Sequence, residues 1–197
     1  MHAARTEDRY EAIVAVIYLS HVCSRWRSVA LTTSALWTGI ILTYPTSDEQ
    51  QERSRTWIRR SRTAPVDIYL DVRDPTWDMD EYNHDVGHDE MIEILSIIGL
   101  AVHRWRSLTI LADTWEPLHT FLTATERWHP HKLESLTLWR CNEYLASKGQ
   151  LFEPAALRAP VPLFGGRRLN GLCDVHLNGV HVDWTQSPLH DLTSLEF

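Results

Sequence analysis

One pattern constrains this chain more than any other: an apolar residue, one intervening residue, then a second apolar residue. It recurs as Ile40-x-Leu42, Ile68-x-Leu70, Leu108-x-Ile110, Leu136-x-Leu138, Val175-x-Leu177 and Leu195-x-Phe197. In a β-strand that spacing puts both apolar side chains on one face and the middle residue on the other. The central positions 41, 69, 109, 137, 176 and 196 lie 28, 40, 28, 39 and 20 residues apart. Such distances leave room for a helix between strands, and helical periodicity is found there. Met91, Ile94, Leu95, Ile98, Ala101, Val102 and Trp105 make one stripe, and Leu118, Phe121 and Leu122 a shorter one over 116–124. Strands are predicted at 37–42, 66–72, 107–111, 133–138, 172–177 and 192–197.

Leucine-rich repeats run about 20 to 29 residues with L-x-x-L-x-L-x-x-N/C. Leu133, Leu136, Leu138 and Cys141 fit that template; Leu172, Val175 and Leu177 keep its apolar spacing, with Val180 in the last place. The two long steps coincide with an acidic stretch and a Pro/Gly-rich one, read as insertions. A doubly wound domain fits less well, because the strands are half polar rather than continuous apolar runs, and no glycine-rich phosphate loop follows any of them. The fold class expected is therefore α/β: a short N-terminal helical unit, then an irregular leucine-rich-repeat-like solenoid with a parallel sheet. The boundary is placed between residues 1–45, which include the first strand, and 46–197.

The N-terminal unit is predicted as one helix over 9–31, with Leu19, Val22, Trp26, Val29 and Ala30 on one face. "TTS" (32–34) stops it. "TSDEQQERSRTWIRRS" (46–61) reads as a second helix. Thr46 with Glu49, or Ser47 with Gln50, has capping-box spacing, and acids precede arginines as the dipole favours. "NEYLAS" (142–147) has some helical character.

Charge narrows the function. The net charge of −7 and the absence of any long Lys/Arg run argue against nucleic acid as a partner. Eight Asp/Glu against one Arg between Asp71 and Glu90 read as a solvated loop. Cys23, Cys141 and Cys173 form no disulfide framework, which suits a reducing compartment, cytoplasmic or nuclear. "AIVAVIYL" (12–19) is too short to span a membrane. Nine tryptophans spread along the chain imply many small packing sites.

"LSHVCSRWRSVALTTSALWTGI" (19–40) resembles the C-terminal half of an F-box, with its Val-Cys-x-x-Trp-Arg helix, small polar turn and Leu-Trp. "WIRRSRTAPVDIYLDV" (57–72), "HRWRSLTI" (103–110) and "LNGLCDVHLNGVHVDW" (169–184) are similar to segments of fungal F-box-like proteins with leucine-rich repeats. The resemblance implies a substrate receptor of a cullin-type (SCF) ubiquitin ligase, not an enzyme and without a cofactor. It would take protein partners, the adaptor subunit on the helical unit and a substrate on the repeats. It also implies that Val22, Trp26, Leu36 and Trp37 are core of the helical unit. An F-box opens with Leu-Pro and an amphipathic helix; "MHAARTEDRY" supplies neither, so the box is expected to be degenerate or truncated at its N-terminus.

The residues between the apolar pairs should face outward. Tyr69, Thr109, Thr137, His176 and Glu196 form one lane, with Asp71, Leu111, Trp139 and Asn178 beside it. Tyr69, Thr109, Thr137, Trp139 and His176 are the candidate partner-binding residues. Alternative readings keep the solenoid without adaptor binding, or make a metal-dependent enzyme of His84 and His88, which stand at i, i+4 as two ligands on a helix would. Gly87 between them weakens the latter. "GGRR" (165–168) has the composition of a turn, and Cys23 is expected beside the core.

Overall fold

In the computed structural model, which describes residues 2–81, 83–142, 149 and 151–197 (side chains at 11 and from 13), strand and helix alternate. The elements are α1 (His2–His21), α2 (Ser24–Thr32), β1 (Gly39–Thr43), α3 (Asp48–Arg60), β2 (Val66–Asp71), α4 (His88–Ile98), β3 (Trp105–Ala112), α5 (Trp115–Ala124), β4 (Ser135–Arg140), β5 (Asp174–Asn178) and β6 (Ser194–Glu196). The strands form one parallel sheet in the order β1-β2-β3-β4-β5-β6. Each of the six predicted strands is present, and β1, placed on sequence in the N-terminal unit, pairs along its length with β2.

The apolar pairs set the register. Ile40, Ile68, Leu108, Leu136, Val175 and Leu195 form one row across the sheet, and Leu42, Leu70, Ile110, Leu138 and Leu177 the next. All are buried except Leu195 on the outermost strand. Helices cover this inner face: α3 packs on β1, α5 on β3 and β4, and α4 lies between α3 and α5. A period-two strand supplies one apolar face and a 3.6-period helix one apolar stripe, and burying each in the other makes the core.

The helix ends follow from local chemistry. Ser47 caps α3 by accepting from the Gln50 amide (3.3 Å), but the Gln50 side chain turns away to accept from the Thr43 amide (2.9 Å). The box is therefore half made. At its other end α3 is closed by a residue that lies just before β3. Arg104, buried, donates to the carbonyls of Ile58 (3.0 Å) and Ala64 (2.9 Å) and to Ser61 Oγ (2.9 Å). Two tryptophans play one role: Trp37 Nε1 donates to the Ala30 carbonyl (2.8 Å) and Trp105 Nε1 to that of Ile98 (3.1 Å). Each ties the start of a strand to the helix seven residues back.

Two expectations change. The single helix over 9–31 is two, broken at Val22–Cys23, where Cys23 is extended and Arg27 Nε reaches back to the Ser20 carbonyl (3.0 Å). The reading of "NEYLAS" lies largely outside the described residues. Among those described, no helix is long and apolar enough to cross a membrane.

Candidate interaction surfaces

The sheet's second face carries no α3–α5 layer, so the residues between the apolar pairs point away from the main core. Thr109, Thr137 and His176 stand side by side on β3, β4 and β5, with Trp139 one step further along β4; all four are half-buried. Tyr69 is not available beside them. It is only 5% exposed, because α1 packs on β1 and its Ile13 shares a hollow of about 340 Å³ with Leu36, Ile41 and Tyr69. Alternation along β2 correctly turns Tyr69 outward; what covers that side comes from the other end of the chain. Towards β6, His176 lies between two carboxylates, Nε2 3.1 Å from Asp174 and Nδ1 3.0 Å from Glu196. Ser135 Oγ donates to Asp174 as well (3.1 Å).

At the C-terminal rim of the sheet the acidic stretch is bound down rather than left in solvent. Arg73 forks onto Asp71 (2.7 and 2.6 Å) and is held firmly charged by it. Asp113 accepts from the Asp74 amide (2.7 Å) and from His84 Nε2 (3.1 Å). His84 Nδ1 accepts from the Val86 amide (3.0 Å), so its proton sits on Nε2 and both ring nitrogens are used. Glu81 accepts from the Trp115 amide (2.7 Å), from Arg140 (2.6 Å) and from Asn142 (3.3 Å). Buried acceptors matched in this way fix a loop, because leaving any one unpaired would cost about 1–3 kcal/mol. Asp78, Met79 and Asp80 at its tip remain exposed. Hydrogen bonds from Thr76 hold the Asp74 carboxyl below the usual carboxylate range. Burial pushes the nearby Cys141 thiol up to about 11, with Arg73 opposing the shift. Between the strap that this acidic stretch forms and the strand ends lies an open hollow of about 430 Å³ lined by Thr43, Tyr44, Asp71, Arg73, Asp74 and Asp113.

His84 and His88 do not act together. His88 is the first residue of α4, with Gly87 as its cap, whereas His84 precedes the helix and turns to Asp113. His88 Nδ1 meets Thr120 Oγ1 instead (3.2 Å). Among the described residues no three His, Cys, Asp or Glu side chains are grouped to hold a metal ion. The "GGRR" glycines form a tight turn. Both have positive φ, and a Cβ on Gly165 would lie 2.4 Å from the Glu126 carbonyl oxygen, one on Gly166 2.6 Å from that of Gln186.

The helical hairpin presents a second surface. Trp37 is core as expected, 1% exposed, edge-on to Trp57 (4.7 Å between ring centres) and under the Arg60 guanidinium (4.3 Å). Leu36 packs partly buried against it. Val22 and Trp26 are not core: they are 63% and 51% exposed, and Tyr18 and Val29 are exposed beside them. The physical reason is that α2 buries only Ala30 against the rest of the fold, so its apolar stripe has no covering helix among the described residues. Cys23 is likewise exposed. Arg25 and Arg27 flank Trp26, and no carboxylate occurs between Glu11 and Asp48. Arg27 shares a hollow of about 430 Å³ with Glu49 and Glu52 of α3, so the charge beside this apolar surface is mixed. Compared with protein-family models, with curated proteins and with solved structures, the chain matches none.

Proposed function

We propose that this chain is a non-enzymatic protein-interaction module. In this reading an F-box-like hairpin leads into a leucine-rich-repeat solenoid that serves as substrate receptor of a cullin-type ubiquitin ligase. The solenoid reading is supported by the strands following chain order in one parallel sheet with helices on one side. The observation that carries the interaction role is the uncovered stripe of Val22, Trp26 and Val29 on the hairpin. Isolated apolar residues on a surface need no explanation; an exposed Trp with Val29 one turn along α2 and Val22 just before that helix supports a docking role. The ligase role itself rests on the sequence resemblance.

Titration calorimetry against the adaptor subunit of the ligase tests it. The expected affinity is in about the micromolar range, and Trp26→Ala should lower it by roughly 30-fold or more, as loss of a central aromatic anchor does. The same substitution should leave thermal stability nearly unchanged, because the side chain is half exposed. Absence of heat with the parent, or heat that Trp26→Ala does not alter, removes the adaptor from the reading. What then stands is the second reading, a leucine-rich-repeat binding module without ligase docking.

A further inference from the structure

We infer that the outward face of β3–β6 recognises an extended, basic polypeptide segment. The inference rests on the reading of the repeat sheet as a recognition surface and names the chemistry of its partner.

Shape is the first consideration. The centre of the face is made of small hydroxyl side chains, Thr109 and Thr137, with Trp139 beside them. Strands spaced about 4.8 Å apart make β3 to β6 a track roughly 14 Å wide. A shallow track with one aromatic member suits an extended chain laid across the strands better than a bulky helix.

Charge is the second. Cations near the face are already committed: Arg106 is forked onto Asp67, and Arg73 onto Asp71. Arg140 on β4 turns to the inner side and meets Glu81. Among the described residues, the outward positions of β4 to β6 hold Asp174 and Glu196 and no Lys or Arg. His176 between them is neutral or positive, and one imidazole offsets at most one of the two carboxylates. At the rim, Asp71 is forked by Arg73, and Asp113 accepts from His84 and the Asp74 amide, so those carboxylates are already matched. Leu111, the next outward residue after Thr109 on β3, is 2% exposed and separates this rim from the track. A basic segment would lay its cations along Asp174 and Glu196, with Thr137 and Trp139 beside them.

The test uses the whole chain and two short fluorescein-labelled peptides, one alternating Lys and Ser, the other Glu and Ser, read by anisotropy. The Lys peptide should bind, with an affinity that falls as salt is raised. Asp174→Asn and Glu196→Gln should each weaken it about threefold, and together about tenfold, the scale of exposed charge pairs. Glu93→Gln on the outer side of α4 makes the same change in net charge and should have no effect. Thr137→Trp, neutral but bulky, should block binding of any ligand on the track. Melting curves of each variant establish that it is folded. Equal weakening by Glu93→Gln would overturn the inference, since the attraction would then be to the whole chain's charge. Preference for the Glu peptide, blocked by Thr137→Trp, would overturn the basic class but leave the face as a recognition surface. If neither peptide binds, both the inference and the reading beneath it fall.

Discussion

Replacing Arg104 with Met tests how the end of α3 is locked to the start of β3. Arg104 is 5% exposed, and the groups it contacts are neutral acceptors at the C-terminal end of α3. Burial lowers its pKa, and what keeps it charged is the partial negative charge of the helix terminus. Arg104→Met retains most of the stem and removes the guanidinium. Ile58 O keeps one donor, because Ser61 Oγ also reaches it (2.9 Å). Ala64 O, which is part-buried, also loses its charge-assisted bond from Arg104, worth about 1.5–3 kcal/mol. Ser61 Oγ loses a charged partner, and α3 loses its favourable terminal cation, worth about 0.3–1 kcal/mol or more when buried. Relief of guanidinium desolvation offsets part of this. The expected net loss is about 2–4 kcal/mol, and Arg104→Lys should fall between the two, because one ammonium cannot fork across separated acceptors. Urea denaturation followed by tryptophan fluorescence measures it. An Arg104→Met protein with the parental midpoint would show that water satisfies these acceptors and that the guanidinium is not the lock.

Two further predictions concern titration. Cys141 should react with a soluble alkylating reagent at least about tenfold more slowly than an ordinary thiol. At about pH 8 roughly a thousandth of it is thiolate, against roughly a tenth for a thiol at 9.0, and the higher nucleophilicity of the rarer thiolate recovers only part of that. Peptide mapping after timed alkylation, with exposed Cys23 as internal comparison, reads this; equal labelling would place Cys141 at the surface. His119 and His181 flank the Trp115 ring, and burial holds both below their ordinary 6.5, with His88 acting on the first and Arg140 on the second. Their folded values are depressed, so the stability they contribute is present above about 6.5 and lost as pH falls through the folded values. Thermal midpoints should therefore drop between about pH 7 and pH 5, and His119→Gln with His181→Gln should flatten that drop; an unchanged slope would assign it to other groups.

The strands were legible because each carries its own apolar pair, a signal contained in a few residues. Helix α3 could be read for the same reason, from Ser47 and its ordered charges. The strap could not. Glu81 finds Arg140, and His84 finds Asp113, at separations of 59 and 29 residues. Composition reports such a stretch only as acidic. Trp26 shows a different limit: periodicity identifies an apolar stripe but not whether anything lies over it. For Tyr69 the same ignorance runs the other way, since strand alternation turned it outward and α1 then covered it. Lanes and hollows that matter for binding are built from these long-range meetings, so the candidate surfaces were visible in outline from Thr109, Thr137 and His176 and wrong in extent at Tyr69.

The strand order has a mechanical consequence. Every strand is bonded only to its neighbours in sequence, so no later segment crosses back to fasten an earlier one within the sheet. A pull on the two termini meets the ladders edge first and can open them one at a time, like a zip, rather than shearing many at once. Leu195, inner-row but partly exposed on the short outer strand, makes the β6 side the weaker end. The first rip under load should therefore release β6 and β5, with the track between Thr137 and Glu196 lost while the Trp37 and Trp105 anchors still hold.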